Sequence, residues 1–145
     1  SSTIAIGGDE LTRAIADARD VSLEEAEQMK HTEGIKKNDA DNSVFEALSP
    51  IVSALRDEIK RRYAYWNTHN IIDGKQHDPI EEIILCGGNA NLGGLSEYLS
   101  ASISTTVSLA NVFVNVNTFE QYIPKTSFEE SLRFATAIGL ALKHH

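Results

Sequence analysis

Cysteine is almost missing from this 145-residue chain: Cys86 stands alone. One thiol cannot close an internal disulfide, which excludes a disulfide-stapled secreted scaffold and implies a reducing setting. Cys86 ends an apolar run, so it is expected to be a small buried hydrophobe rather than a reactive thiol. Cations are also scarce, 13 Lys and Arg against 21 Asp and Glu, for a net charge of −8. That deficit argues against broad nucleic-acid binding, which needs a basic surface, and against an anionic membrane. The longest basic run, Lys60-Arg61-Arg62, reads as a solvated helix face. No apolar run approaches the ~20 residues of a membrane span, and no secretory pattern opens the chain.

Familiar catalytic arrangements are absent as well. The five histidines, His31, His69, His77, His144 and His145, show no metal-ligand spacing, so no metal site is expected. Ser96 lies in no Gly-x-Ser-x-Gly elbow. The carboxylate pairs Glu24-Glu25, Glu81-Glu82 and Glu129-Glu130 follow the logic of helix or strand starts, and no catalytic residue is assigned. Hydrophobic content of 41% and charged content of 23% are those of an ordinary globular protein. The length suffices for one domain with a core.

What is present is a repeated junction. Ile6-Gly7-Gly8-Asp9 and Ile83-Ile84-Leu85-Cys86-Gly87-Gly88-Asn89 both read as strand, two glycines, polar residue, helix. Glycine has no Cβ, so backbone N–H groups at such junctions can approach phosphate or sugar oxygens closely. Glu27 and Lys30 lie between the two junctions, one helical turn apart and on one face.

The remaining pattern alternates strands and helices, which gives an α/β class. Residues 3–6 form a short strand candidate. Asp9 is expected to cap a helix with Leu11, Ala14, Ile15 and Ala18 on one face. Ser22-Leu23-Glu24-Glu25 is a capping box for a second helix, running to about Thr32 and stopped by Gly34. Residues 35–42 read as a polar loop. Val44, Leu48, Ile51, Leu55, Ile59, Tyr63 and Trp66 mark a long amphipathic helix. At Pro50 that helix either kinks or restarts, with Ser49 as cap.

Residues 67–79 read as a loop. Residues 80–86 read as a strand buried on both faces of a mostly parallel sheet. After Gly87-Gly88 comes a helix carrying Leu92, Leu95, Leu99 and Ile103, then a strand over residues 105–109 and a possible one over 112–116. Ser127-Phe128-Glu129-Glu130 is another capping box. It opens a helix along Leu132, Ala135, Ile138 and Leu142, whose Ala135 and Gly139 offer a flat side to a sheet. Three or four strands are few for such a sheet, and the abrupt ends suggest a segment of a larger domain.

Three stretches in this order carry a resemblance. They are Ile4-Ala5-Ile6-Gly7-Gly8-Asp9 running on to Glu27-Gln28-Met29-Lys30; Ile83 through Gly93-Gly94-Leu95; and Phe134-Ala135-Thr136-Ala137-Ile138-Gly139-Leu140. Over nearly the whole chain they resemble the second half of the actin-like ATPase superfamily, most closely the PilM family of type IV pilus assembly. The resemblance implies a second lobe with a truncated ribonuclease H-like sheet. It implies an inserted helical subdomain at roughly 9–75 and a sheet core at roughly 79–145.

By position, Gly7 and Gly8 are similar to the pair facing the nucleotide phosphates. Glu27 and Lys30 are similar to the Glu-x-x-Lys pair that reaches ribose and base. Gly87, Gly88 and Asn89 are similar to the adenosine motif, although the family often has glycine or a hydroxyl residue at Asn89 and proline at Gly93. The implied ligand is ATP with Mg2+, held in the intact parent. Phosphoryl transfer needs metal and positioned phosphates, and the family's phosphate loops lie outside this chain, so the segment alone is expected to be inactive. The implied partner is a PilN-like inner-membrane protein, engaged mostly by the other lobe, with the parent cytoplasmic and peripheral at that membrane. An exposed sheet edge would favour self-association. The alternatives are a scaffold of the same fold that uses no nucleotide, and an FtsA-like division protein.

Overall fold

The computed structural model describes residues 7–37, 40–69, 71–72, 75–76, 78–114, 116 and 125–142. The strand expected over residues 3–6 lies outside them. Helix α1 (Gly8–Arg19) begins at Gly7, not Asp9, and has no side-chain cap. Asp9 sits in the first turn, where its charge favours the helix dipole. The buried face is Leu11, Thr12, Ile15 and Ala16, rotated from the expected one. Ala18 is exposed, because α1 is held between two neighbours rather than laid on one.

Those neighbours are α2 (Leu23–Thr32) and α3 (Ser43–Thr68). The Ser22 hydroxyl accepts from the Glu25 N–H, and Glu25 reaches back to the Ser22 N–H, as the capping box requires. Helix α3 continues through Pro50, so no new helix starts at Ser49. Val44, Leu48 and Val52 are buried beneath it, with Ile51, Leu55, Ile59 and Tyr63 packed on the margin. The stretch expected as a loop after α3 contains a minimal antiparallel hairpin, β1 (Ile71–Ile72) with β2 (Lys75–Gln76).

Strand β3 (Glu82–Leu85) pairs in parallel with β4 (Thr106–Leu109), Ile83 opposite Val107 and Leu85 opposite Leu109. Helix α4 (Leu95–Ile103) makes the crossover that a parallel pair needs. Leu92, Leu95, Leu99 and Ile103 are all buried, as their spacing requires, although a 3-10 turn over Gly88–Asn91 precedes the helix. Strand β3 is not covered on both faces: Ile84 is 61% exposed. Residues 112–114 and 116 form turns in place of the possible strand.

The final helix is divided into α5 (Phe128–Ser131), a 3-10 turn over Leu132–Phe134, and α6 (Ala135–Leu142). The Ser127–Glu130 capping box forms, and Leu132 is fully buried. Helix α6 buries nothing, and a Cβ on Gly139 would meet no atom within 4 Å. The flat side expected there packs on no sheet among the described residues.

Candidate functional site

The two glycine junctions, far apart in sequence, come together in space. A Cβ placed on Gly8 would stand 2.6 Å from Asn89 Oδ1, so the Asn89 amide lies directly against the start of α1. Around Gly7 and around Gly87 a Cβ would meet nothing within 4 Å. Among the described residues, the space beside the Cα of each is therefore open. Gly87 takes φ +94, in the left-handed region that favours glycine. Its N–H donates to the Leu132 carbonyl at 3.0 Å, which fastens this turn to the C-terminal helices. Cys86, expected buried, is exposed. It lies at the edge of an apolar cavity of about 210 Å3 lined by Leu11, Leu55 and Leu85. The strand bearing it has one bare face.

Glu27 and Lys30 do meet, and a third residue joins them. Lys30 Nζ donates to Glu27 Oε2 at 2.6 Å and to Thr12 Oγ1 at 3.0 Å. The Thr12 hydroxyl is 2.6 Å from the same carboxylate oxygen and 3.0 Å from the Gly8 carbonyl. Lys30 is only 3% exposed. A buried ammonium needs such partners, since an unpaired one is strongly disfavoured.

Burial by itself would raise the Glu27 carboxyl pKa. The hydrogen bonds from Lys30 and Thr12, with the charges of Lys30 and His31, outweigh burial and hold it below its ordinary 4.5. With a folded value below the unfolded one, Glu27 contributes stability in full above pH 4.5, and that contribution is lost as pH falls through the folded value. Glu27→Gln is expected to flatten this part of the acid limb. Unfolding midpoints measured between neutral pH and acid would show it, and an unchanged limb would remove Glu27 as a source.

His31 links α2 to the second glycine turn. Its Nδ1 donates to the Asn91 carbonyl at 3.1 Å, and its Nε2 is 3.4 Å from Glu27 Oε1. The Asn91 Nδ2 donates to the Glu129 carbonyl at 2.6 Å, while its shielded Oδ1 has no hydrogen-bond partner among the described residues. His31, Asn91, Glu129, Glu130 and Arg133 line a cavity of about 210 Å3. Arg133 lies beside Gly88, its Cγ 3.4 Å from where a Cβ would be. Among the described residues, no group of three His, Cys, Asp or Glu side chains is gathered for a metal, so the magnesium expected with ATP is assigned no ligand here.

Sequence reading named the glycines, Glu27, Lys30 and Asn89. It missed Thr12, His31, Asn91 and Arg133. Thr12 carried a signal: it lies one turn beyond Gly8 and shares the inward face with Leu11 and Ile15. Arg133 carried none, because its place beside Gly88 depends on how the C-terminal helices pack.

The arrangement resembles a solved structure described as a PilM-PilN type IV pilus biogenesis complex. The match has a TM-score of 0.71 and 23% identity, and covers 97% of this chain and 37% of the other. At that identity the likeness is one of fold. The chain thus spans just over a third of the length of the solved chain it matches. No curated protein matches. The sequence model of the family described as Type IV pilus assembly protein PilM matches residues 2–145. This chain belongs to the PilM family of type IV pilus assembly proteins.

Proposed function

We propose that the chain is the nucleotide-binding second lobe of an actin-like PilM protein, with the helical insert at roughly 9–75 and the sheet core at roughly 79–145. In the longer protein, ATP lies between two lobes. The uncovered face around Ile84 is covered there by other elements of the second lobe. Nucleotide state then adjusts a cytoplasmic assembly that engages a PilN-like protein at the inner membrane. The PilM-PilN complex named for the matched structure supports that partner. The observation that carries the nucleotide reading is the meeting of Gly8 with Asn89, which brings the two glycine junctions together, with Glu27 and Lys30 tied to Gly8 through Thr12. The chemistry offered is recognition: backbone donors toward phosphate and sugar, and a carboxylate toward ribose hydroxyls.

Calorimetric titration of the full-length protein with ATP and magnesium tests this reading, with Gly88→Val as the control. The three nearest atoms to a Cβ at position 88 all belong to the flexible Arg133 side chain, at 3.4 Å or more, so the fold is expected to survive. Affinity is expected to fall at least about tenfold as the bulk blocks backbone approach, the equivalent of about 1.4 kcal/mol. A folded full-length protein that binds no nucleotide would support the second reading, a scaffold that uses none. One observation favours that reading: Lys30 is already satisfied by Glu27 and Thr12, and the Asn89 amide already lies against Gly8.

A further inference from the structure

We propose that Thr12 is a positioning residue whose hydroxyl couples the phosphate side of the nucleotide site to its ribose side. The proposal rests on the nucleotide reading above and assigns a role to a residue that lies outside both glycine turns and the Glu27–Lys30 pair. Thr12 is buried on α1 at 7% exposure, one turn from the Gly7-Gly8 junction. Its oxygen has three polar neighbours: the Gly8 carbonyl at 3.0 Å, Glu27 Oε2 at 2.6 Å and Lys30 Nζ at 3.0 Å.

A hydroxyl has one proton to give and lone pairs to receive with. Lys30 can only donate, so Thr12 accepts from it. The single proton must then go to Glu27 or to the Gly8 carbonyl. The short distance to an ionised carboxylate favours Glu27, since charge-assisted hydrogen bonds are the stronger ones. Two arrangements are therefore available without moving the backbone. In one, Thr12 donates to Glu27. In the other, a ribose hydroxyl donates to Glu27 and the Thr12 proton turns to the Gly8 carbonyl, at the first residue of α1. That rotation alters the hydrogen bonding of the turn whose N–H groups face phosphate. One side chain thus registers the sugar at one end and adjusts the phosphate turn at the other.

Thr12→Val removes the hydroxyl at nearly constant volume, and Thr12→Ser restores it. The full-length wild type and both variants would be titrated calorimetrically with ATP, adenosine and inorganic tripolyphosphate. For Thr12→Val, ATP affinity is expected to fall by about tenfold beyond the product of the fold losses for adenosine and tripolyphosphate, in line with the worth of one hydrogen bond to a charged group. Thr12→Ser is expected to recover most of it. A role confined to folding would lower the melting temperature without separating ATP from its two parts. If Thr12→Val does not fold, Thr12→Ala gives the same readout. Wild-type ATP binding that Thr12→Val leaves unchanged, or a Thr12→Ser that behaves like Thr12→Val, would overturn the coupling alone. A wild type that binds no ATP would overturn the nucleotide reading and this inference with it.

Discussion

Gly34→Ala is expected to destabilise the protein by about 3–5 kcal/mol, among the largest effects of a single methyl group in this chain. Two causes add. Gly34 has φ +56, where any L side chain is strained. Its Cβ would also fall inside contact distance of the Gly93 carbonyl oxygen, nitrogen and Cα. Backbone cannot rotate away as a side chain tip can. The end of α2 is pinned there from both sides, because the Ile35 N–H donates to the Gly93 carbonyl at 2.8 Å and the Gly93 N–H donates to the Lys30 carbonyl at 3.2 Å. Asparagine tolerates positive φ but brings the same Cβ, so Gly34→Asn should be nearly as damaging. Gly7→Ala is the contrast: φ is −99 and a Cβ would meet nothing within 4 Å, so its effect should stay at about 1 kcal/mol, the loss of a preferred N-cap residue. Urea denaturation followed by circular dichroism measures all three. A Gly34→Ala midpoint equal to wild type would mean that the two backbones do not cross this closely.

The same crossing gives Gly93 a structural explanation. Proline at that position would have no N–H to donate to the Lys30 carbonyl. A Cβ at position 93 would lie 2.8 Å from the His31 carbonyl oxygen. Two glycines thus let α2 and the second glycine turn touch through their backbones. That contact places His31 over Asn91.

The second large effect is an asymmetry within one ion pair. Glu27→Ala is expected to cost about 2–3 kcal/mol, and Lys30→Met no more than about 1 kcal/mol. The partners differ in burial: the Lys30 side chain is 4% exposed and that of Glu27 is 40% exposed. Removing Glu27 leaves a buried ammonium whose remaining side-chain partner is the Thr12 hydroxyl. Removing Lys30 leaves a carboxylate that water can reach and that Thr12 still serves. Solvent access keeps the first figure below that of a fully buried pair. The two variants should also differ in ligand binding, because only Glu27 is exposed enough to meet a sugar. Equal losses of stability would show that the ammonium finds water once Glu27 is gone.

Local chemistry wrote much of this fold into the sequence. Both capping boxes form at Ser22 and Ser127 because their hydrogen bonds close within four residues and need nothing from elsewhere. The three-and-four spacing from Val44 to Tyr63 marked α3 because a helix repeats its face at that period. Leu92, Leu95, Leu99 and Ile103 are buried for the same reason. The Glu27–Lys30 ion pair was legible as well, since residues three apart share a helix face.

Long-range packing decided the rest. Thr12 joins Glu27 and Lys30 because α1 is held between α2 and α3, which turns it inward. His31 and Asn91 met because Gly34 and Gly93 let two backbones cross, and Arg133 reached Gly88 because the C-terminal helices return to the second glycine turn. Cys86 and Ile84 are exposed because hydrophobic character states that a residue tends toward burial, while only neighbouring elements supply the cover. The sequence determined the main helices and the parallel strand pair, because those preferences close within a few residues. The tertiary structure decided which polar groups share a hydrogen bond, because that depends on the ångström-scale approach of segments distant along the chain.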